Sequence, residues 1–384
     1  MTPAFYLLAS ITISFLAGSA APTPLYPLYQ AHWGFSPTAV TLIFGIYALA
    51  VLSALLVVGR LSDHIGRKPV LLVATVVQAA TMILFAHADG LNALLVARVI
   101  QGLSTGAAVA AVGAGLLDID KARGTMANAI TTPLGTATGA LFAGILVQYL
   151  PQPTHLVFYV LAAVFAAQAI GVMLMAESNA PRAGAWASLM PQLKLPRVSR
   201  NPMLIAIPAL VASWALAGFY ASLGPTVIKG LLGSNSALLG GLTLFVLAAS
   251  AALAVSLLHK RDAHVLMTVG AVALLAGVTV FLTSLSYHSA VAFFIGTAMC
   301  GMGFGAGFQG AVRTVVASAP VHERAGVLSV AFVVSYLAMG LPAIAAGYLL
   351  TRQGNVIATA REFGAVVMTL AVLAIYGALR RKGV

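Results

Sequence analysis

The stretch GRLSDHIGRKP, residues 59–69, decides how this chain is interpreted, because it sets charged side chains between two long apolar segments. Gly59 and Gly66 tolerate backbone angles that other residues avoid, so the chain can turn tightly there. Asp63 can lie against the positive end of a neighbouring helix, and Arg67 can pair with an acid. The stretch, called the signature loop below, therefore predicts a short charged turn between two membrane helices.

The composition of the whole chain indicates insertion into a membrane. Hydrophobic residues make up 61% of the chain and charged residues only 7%, whereas a soluble domain carries about 25% charged residues. Apolar runs of twenty residues and more can cross about 30 Å of hydrocarbon as helices, which satisfy their own backbone hydrogen bonds. We therefore expect an all-α membrane protein whose surroundings are the lipid bilayer.

The apolar segments number twelve and form two groups of six. The predicted spans are 4–28, 38–59, 69–87, 91–117, 125–149, 155–176, 202–230, 237–258, 264–285, 290–317, 325–351 and 362–379. The longest hydrophilic stretch, residues 177–201, is interpreted as a cytoplasmic linker between an N-terminal bundle at 1–176 and a C-terminal bundle at 202–384. The same stretch contains three prolines and four basic residues.

The two predicted bundles share a sequence pattern. Asp63 after the second span has a counterpart in Asp262 after the eighth, 199 residues further on. Arg123 before the fifth span has a counterpart in Arg324 before the eleventh, 201 residues further on. Two matches at nearly one offset indicate a duplicated six-helix unit.

Lysine and arginine are distributed unevenly between the two sides of the membrane. With the N-terminus inside, fifteen of these residues fall in cytoplasmic loops and in the tail at 380–382, against three in outer loops. This bias predicts a multi-pass protein of the cytoplasmic (inner) membrane with both termini in the cytoplasm. The net charge of +12 is spread over short loops rather than gathered on one face, so a nucleic acid partner is not expected.

Two motifs resemble those of the major facilitator superfamily. The signature loop, including Lys68, follows that family's G-x-L-a-D-r-x-G-r-k pattern, and only Ser62 and His64 depart from it. In the fourth span, Arg98 and Gln101 resemble the family's R-x-x-q-G-x-g motif. The resemblance implies a monomeric transporter without cofactor or metal, in which two six-helix bundles rock about a central cavity.

The resemblance also implies an inner gate made by the signature loop. In the family, the loop aspartate, here Asp63, contacts the start of the eleventh helix, and the loop arginine, here Arg67, pairs with an acid after the fourth. The gate partners expected in this chain are Asp118, with Asp120 as second choice, Arg123, Glu323 and Arg324. These contacts hold the inner side closed in the outward-open state.

Arg98 is a charged residue within a predicted span. It lies about seven residues from the outer end, hence ~10 Å deep, where a charge costs roughly 2.5–3.5 kcal/mol on insertion scales. We therefore expect Arg98 to face the cavity, with Gln101 one turn along the same face. Two other interpretations stay open: an arginine satisfied by backbone carbonyls, or one extended outward toward Asp89.

Other polar and aromatic residues within the spans are candidates for substrate contact. They are Tyr26, Tyr47, Asn128, Thr131, Trp214, Tyr220, Gln309 and Tyr336. Each alone is explained as well by packing or by an interfacial position. Asn128 and Gln309 rank highest, because an unpaired amide in lipid is costly.

The positions of the acids limit how protons could be coupled to transport. None of the eight acids lies in the middle of a predicted span, so coupling would need Asp63, Asp118 or Asp120, or a titrating substrate. The fifth-helix motif of the family's antiporters is half present, since Thr136 replaces its proline and Ala140 its last glycine. No metal-ligand spacing or catalytic motif occurs, so an enzyme or a non-transporting receptor is not expected.

These patterns lead to one expected function and one alternative. The chain resembles the family's drug and metabolite efflux branch, so we expect export of a small organic molecule, with proton exchange left open. In the alternative, Arg98 binds the negative charge of a substrate, and the protein is an organic-anion carrier or an uptake symporter.

Overall fold

The computed structural model describes residues 2–380, so the predicted tail residues Arg381 and Lys382 lie outside the described residues. In this part of the chain, twelve helices are long and apolar enough to cross a membrane, as the sequence predicts. In chain order they are α1 Pro3–Trp33, α2 Pro37–Val57, α3 Arg67–Ala86, α4 Leu91–Ile119, α5 Lys121–Tyr149, α6 Leu156–Leu174, α7 Arg197–Leu232, α8 Ala237–Leu258, α9 Ala263–Tyr287, α10 Ala290–Ala317, α11 Val321–Gln353 and α12 Val356–Leu379.

The first span, α1, is broken in its outer third. A regular helix at Pro3–Ala20 is followed by a 3₁₀ turn at Thr23–Leu25 and a short helix at Tyr26–Trp33. Three prolines between residues 22 and 27 cause the break, because proline lacks the backbone N–H that a continuous helix needs. The break lets the Thr23 hydroxyl donate to the carbonyl oxygen of Ala221 in α7, at 2.9 Å.

Capping side chains determine where several spans begin. Ser36 accepts a hydrogen bond from the backbone N–H of Ala39 at the start of α2, at 3.2 Å. Asp120, Ser236 and Ser289 act in the same way at the starts of α5, α8 and α10. Such caps satisfy backbone donors that have no partner inside the helix.

The helices form two bundles, α1–α6 and α7–α12, that meet along two seams. One apolar core lies within the first bundle around Phe15 and Phe165, and a second, around Phe281 and Phe293, extends from the second bundle to Phe44 of α2. Across the molecule, α2 packs on α11 and α5 packs on α8. We call the face that carries the linker, the start of α1 and the end of α12 the inner face, which the charge bias predicts to be cytoplasmic.

A glycine seam holds α9 and α10 together in the second bundle. Gly296, Gly303 and Gly310 recur every seven residues along α10, and a Cβ on any of them would come within 2.7 Å of a backbone nitrogen of α9. Gly301 and Gly305 approach the backbone of α8 in the same way. The glycine run at 301–307 therefore serves close helix packing, as the sequence indicates.

Candidate functional site

The signature loop makes its tightest turn at Gly66. A four-residue helix, Ser62–Ile65, precedes it, and Gly66 has a φ of +98°, which favours glycine. A Cβ at this position would lie 2.4 Å from Oε2 of Glu177, while a Cβ on Gly59 would lie 2.2 Å from the carbonyl oxygen of Leu55. Both glycines of the motif are thus required by close approach, and Gly66 also by its backbone angle.

Arg67 is the centre of a charged cluster beneath the loop. Its side chain is only 7% exposed, and its Nε donates to Oδ2 of Asp118, at the end of α4, at 3.0 Å. Its Nη1 donates to Asp63 and to Oγ of Ser62, the latter at 2.8 Å. The expected pair between Arg67 and Asp118 is therefore present, and Ser62, a departure from the motif, supplies one of its acceptors.

Asp120, the second-choice partner of Arg67, is engaged elsewhere. Its Oδ1 accepts from the backbone N–H of Arg123 at 2.9 Å, and its Oδ2 lies 3.7 Å from Nε of Arg123. Both side chains are partly exposed at the α4–α5 turn. Asp120 and Arg123 thus form a local helix cap rather than a contact with the signature loop.

Glu177, the first residue of the linker, is a part of this site that the sequence did not indicate. Its carboxylate accepts from the backbone N–H groups of Arg67 and Lys68, both at 2.9 Å. Burial raises the pKa of Glu177, but hydrogen bonds from the N–H groups of Arg67, Asn179, Lys68 and Ser178 lower it by more, so the net shift is downward. An anion at a helix start is favourable, so Glu177 ties the linker to the first turn of α3.

The expected contact between Asp63 and the start of α11 is absent from this structure, which corrects that expectation for the state seen here. Glu323 pairs instead with Lys194 of the linker, whose Nζ lies 3.4 Å from Oε1. Gly326 is also covered by Lys194, because a Cβ there would lie 3.2 Å from the backbone nitrogen of Lys194. Arg324 turns away and donates from Nε to the carbonyl oxygen of Ala319, at 3.3 Å.

Hydrogen bonds join the two bundles directly at their outer ends. The hydroxyls of Thr38 in α2 and Thr351 in α11 lie 2.8 Å apart. Between α5 and α8, Oε1 of Gln148 accepts from the backbone N–H of Ala237, at 3.0 Å. At the inner face, the hydrogen bond that reaches α11 comes from the linker. These direct hydrogen bonds between the bundles lie toward the outer face, whereas Asp63 at the inner face pairs with Arg67 of its own bundle.

Arg98 is buried inside the first bundle, so the expectation that it faces the cavity is wrong for this state. Its guanidinium is fully buried and donates to the carbonyl oxygen of Ser19 at 3.0 Å, to Oε1 of Gln101 at 2.6 Å and to the hydroxyl of Tyr26 at 2.5 Å. Gln101 in turn donates to the carbonyl oxygen of Gly18, at 3.0 Å. The interpretation of an arginine satisfied by carbonyls describes this geometry.

Aromatic rings complete the surroundings of Arg98. Its Cζ lies 5.2 Å from the ring centre of Tyr47, 5.6 Å from that of Phe85 and 5.9 Å from that of Tyr26. Such ring faces stabilise a cation. No acid is paired with Arg98 in the part of the chain that the structure describes, and its Nε has no hydrogen-bond partner there.

The second bundle presents an aromatic wall midway along its helices. We give this name to five half-buried residues: Trp214 of α7, Phe304 and Phe308 of α10, and Phe332 and Tyr336 of α11. The ring centre of Trp214 lies 5.0 Å from that of Tyr336, 5.2 Å from that of Phe308 and 5.9 Å from that of Phe304. The rings form one continuous apolar surface with polar edges.

The helix register directs this wall toward the space between the bundles. On α11, Gly340 faces α2, and Met339 lies against Gly218 of α7. Tyr336 lies one turn before these residues, between the two faces. Two polar atoms on the same helices, Nε1 of Trp214 and Oε1 of Gln309, are buried without a hydrogen-bond partner among the described residues. The wall thus lies on the side of the second bundle that faces the first, with two unpartnered polar atoms beside it.

On the first bundle, the strip of α5 between its two packed faces is polar rather than aromatic. Thr132 is exposed and Thr136 is half-buried, and they lie one turn apart, between the face that packs on α1 at Gly139 and the face that packs on α8 at Gly144. Asn128 is half-buried and donates to the carbonyl oxygen of Gly113 in α4, at 3.0 Å. Asn128 therefore joins two helices, whereas the two threonines lie between the packed faces of α5.

Twelve membrane helices in two six-helix bundles, joined by hydrogen bonds toward the outer face, have the architecture of a membrane transporter. The model of the Major Facilitator Superfamily matches residues 8–343 of the chain. The chain belongs to this superfamily, as the motifs of its sequence predict, and it is a multi-pass membrane transporter.

The chain is similar in sequence to two multidrug resistance proteins. The chain is 26% identical over 346 residues to the multidrug resistance protein MdtL of Klebsiella pneumoniae (strain ATCC 700721 / MGH 78578), covering 84% of this chain and 83% of that protein. It is 33% identical to MdtL of Klebsiella pneumoniae (strain 342), but over only 103 residues, or 26% of each chain. The first of these matches spans most of both proteins.

Solved structures share the fold. The nucleoside transporter NupG superposes with a TM-score of 0.72 at 12% identity, over 100% of this chain and 99% of that one. A bacterial homologue of the human lysosomal transporter Spinster, in an inward-facing and unoccupied conformation, gives 0.74 at 14% identity, over 98% and 95%. At such identities the likeness concerns the fold alone.

Proposed function

We propose that this protein exports small organic molecules from the cytoplasm across the inner membrane by alternating access. The observation that carries the proposal is the aromatic wall around Trp214, on the side of the second bundle that faces the first, which we assign to a cavity that opens at the inner face. A compound could enter from the cytoplasm in this state and leave once the outer contact between Thr38 and Thr351 has opened. Similarity to MdtL, a multidrug resistance protein, over most of both chains supports export.

The walls of the cavity favour uncharged aromatic compounds as substrates. Stacked and edge-on rings such as Trp214 and Tyr336 bind planar apolar surfaces, and Gln309 and the threonines of α5 can form hydrogen bonds at the edges. None of the eight acids lies midway along a span, so a permanent cation would enter without a carboxylate partner, which is unfavourable in a medium of low dielectric constant. The aromatic wall and this charge pattern together support a neutral substrate.

We further propose that export is coupled to proton exchange, with the acids near the inner face as the groups that bind the proton. Asp63 and Asp118 both contact Arg67, so protonation of either would weaken the cluster that ties the signature loop to α4. A proton taken up there could promote the return of the empty carrier. The fifth-helix motif of the family's antiporters is only half present, since Thr136 replaces its proline, so antiport stays a prediction.

The second candidate is an organic-anion carrier, and the state of Arg98 is what favours it. The guanidinium has no acid partner among the described residues and keeps an unpaired Nε. A substrate carboxylate reaching it in another state would supply the missing charge. Against this candidate, Arg98 is fully buried and makes three hydrogen bonds here.

A ligand thermal-shift screen on detergent-purified protein separates the two candidates. The panel contains neutral aromatic compounds, organic anions and organic cations, tested on wild type, Trp214→Ala, Arg98→Ala and a control, Trp33→Ala. Trp33 lies outside the central cavity and stacks on Tyr29, so its variant tests for general destabilisation. We expect stabilisation by neutral aromatics that Trp214→Ala loses and Trp33→Ala keeps.

Other outcomes of the screen would replace the proposal. Stabilisation by anions alone, lost in Arg98→Ala, would favour the anion carrier. Cation binding that survives in Arg98→Ala would overturn the neutral substrate class. For a compound that binds, the direction of transport is then measured in proteoliposomes. Transport that runs only from the outer face of the protein to its inner face would contradict export.

A further inference from the structure

The linker combines positive charge with exposed apolar side chains. No acid occurs between Glu177 and Asp262, and the linker carries four basic residues, Arg182, Lys194, Arg197 and Arg200. Trp186, in the short helix Ala185–Ser188, is 87% exposed, and Met190 is 72% exposed. Leu193 and Val198 are exposed as well. A hydrophilic connection has no reason within the chain itself to present such side chains to water.

The linker is held close to the inner face at both ends. Near its start, the backbone N–H of Arg182 donates to the carbonyl oxygen of His64 at 2.7 Å, and Nδ1 of His64 lies 3.0 Å from the carbonyl oxygen of Ala183. Near its end, Lys194 is paired with Glu323. The segment with Trp186 therefore lies at the level where the lipid headgroups meet the ends of the helices.

We propose that the linker docks on the anionic phospholipid surface of the inner leaflet. Tryptophan is favoured at the boundary of headgroups and acyl chains, and basic residues next to a span are attracted to anionic lipids. Trp186 and Met190 insert at this boundary, while the exposed side chains of Arg182, Arg197 and Arg200 contact lipid phosphates. Complementary charge selects a bilayer surface rather than a protein partner.

Tryptophan fluorescence of the full-length protein tests the docking directly. The chain has three tryptophans, so Trp33→Phe combined with Trp214→Phe leaves Trp186 as the sole emitter. The protein is reconstituted in vesicles of phosphatidylcholine, or of an equimolar mixture of phosphatidylcholine and phosphatidylglycerol, with lipids brominated near the headgroups as quenchers. Both leaflets have the same composition, so the orientation of the protein does not affect the result.

We expect bromine quenching of Trp186 and a blue-shifted emission that are stronger in the vesicles with phosphatidylglycerol. Arg197→Gln and Arg200→Gln should each lower the ratio of docked to undocked linker about fivefold. Lys260→Gln is the matched control, because Lys260 is an exposed basic residue at the inner end of the same bundle but outside the linker. It should leave the emission of Trp186 unchanged.

Two results would overturn the proposal. Water-like emission of Trp186 in both kinds of vesicle, with full access to an aqueous quencher, would show that the linker points into the cytoplasm. Equal quenching in the two vesicle types, unaffected by the arginine variants, would show apolar contact without a role for anionic lipid. Unchanged melting temperatures of the variants exclude misfolding as the cause of either result.

Discussion

In each bundle a tyrosine of the first helix forms a hydrogen bond with the fourth helix, but the two tyrosines have different surroundings. In the first bundle, the hydroxyl of Tyr26 in α1 accepts from buried Arg98 in α4. In the second, the hydroxyl of Tyr220 in α7 lies 3.0 Å from Oγ1 of Thr297 in α10, and Thr297 stands 199 residues after Arg98. The repeated scaffold is thus the same, whereas the buried charge belongs to the first bundle.

The loops that follow the second helix of each bundle differ in the same way. In the first bundle, Arg67 of the loop pairs with Asp118 at the end of α4. In the second, the arginine is on the helix: Arg313 of α10 donates to the carbonyl oxygens of His259 and Arg261, at 2.9 and 3.4 Å. We infer that the two bundles have different roles. The first bundle carries the charged cluster around Arg67, and the second presents the aromatic wall to the substrate.

The largest effect should come from the turn that only the first bundle has. Gly66→Ala forces a side chain into a left-handed backbone region and against the Glu177 carboxylate, which together should cost about 3 kcal/mol. We expect loss of most folded protein from the membrane, measured by fluorescence-detected size exclusion. Gly90→Ala is the control, because Gly90 has extended backbone and no atom within 4 Å of its added Cβ. Equal yields of the two variants would remove the special role of Gly66.

The next effect concerns the two arginines. Arg67→Ala should abolish transport while folded protein remains, because Asp118 and Asp63 lose the cation that holds the loop. Arg313→Ala should keep most transport, since carbonyl oxygens at the inner end can accept from water instead. The measurement is uptake of a compound from the ligand screen into proteoliposomes of each variant.

A conservative variant makes this test sharper. Asp63→Asn keeps the size of the side chain and should also abolish transport, because it removes the charge expected to reach the start of α11 in the outward-open state. Full transport activity in both Arg67→Ala and Asp63→Asn would contradict the assignment of the inner gate to the signature loop. Loss of activity in Arg313→Ala as well would break the contrast between the bundles.

The smallest effect should separate the matched tyrosines. Tyr26→Phe removes an acceptor from a buried guanidinium and should cost about 2 kcal/mol, whereas Tyr220→Phe removes a bond between neutral hydroxyls and should cost about 1 kcal/mol. Both tyrosines are 1% exposed, so the substitutions are closely matched. A larger loss of thermal stability for Tyr220→Phe than for Tyr26→Phe would reverse the assigned asymmetry.

The sequence was sufficient where local pattern determines structure. Apolar length predicts the twelve helices, and the family resemblance of the signature motif implies that Arg67 meets Asp118. Glu177 could not be found in this way, because it is 110 residues from the backbone groups that it caps. The burial of Arg98 depends on the break in α1, which brings Tyr26 over the guanidinium. The three prolines predict that α1 is broken, but they do not predict the direction in which the chain bends.

The aromatic wall was only partly visible in the sequence for a related reason. Trp214 and Tyr336 were candidates among many, since any aromatic residue within a span can serve packing. What distinguishes them is the rotation of α7 and α11 about their axes, which follows from the contact between Gly218 and Met339. Such a rotation is a property of the packed bundle rather than of either helix alone.

The glycine seam of α9 and α10 bears on how this transporter can change its substrates over evolutionary time. Gly296, Gly303 and Gly310 leave no room for even a methyl group against α9, so these positions should be invariant in any library of functional variants. New specificity must therefore arise on surfaces that face the opening, such as the rings of α7 and α11. In a saturation mutagenesis experiment, the three glycine positions should tolerate no substitution, whereas positions on the rings of α7 and α11 should tolerate many.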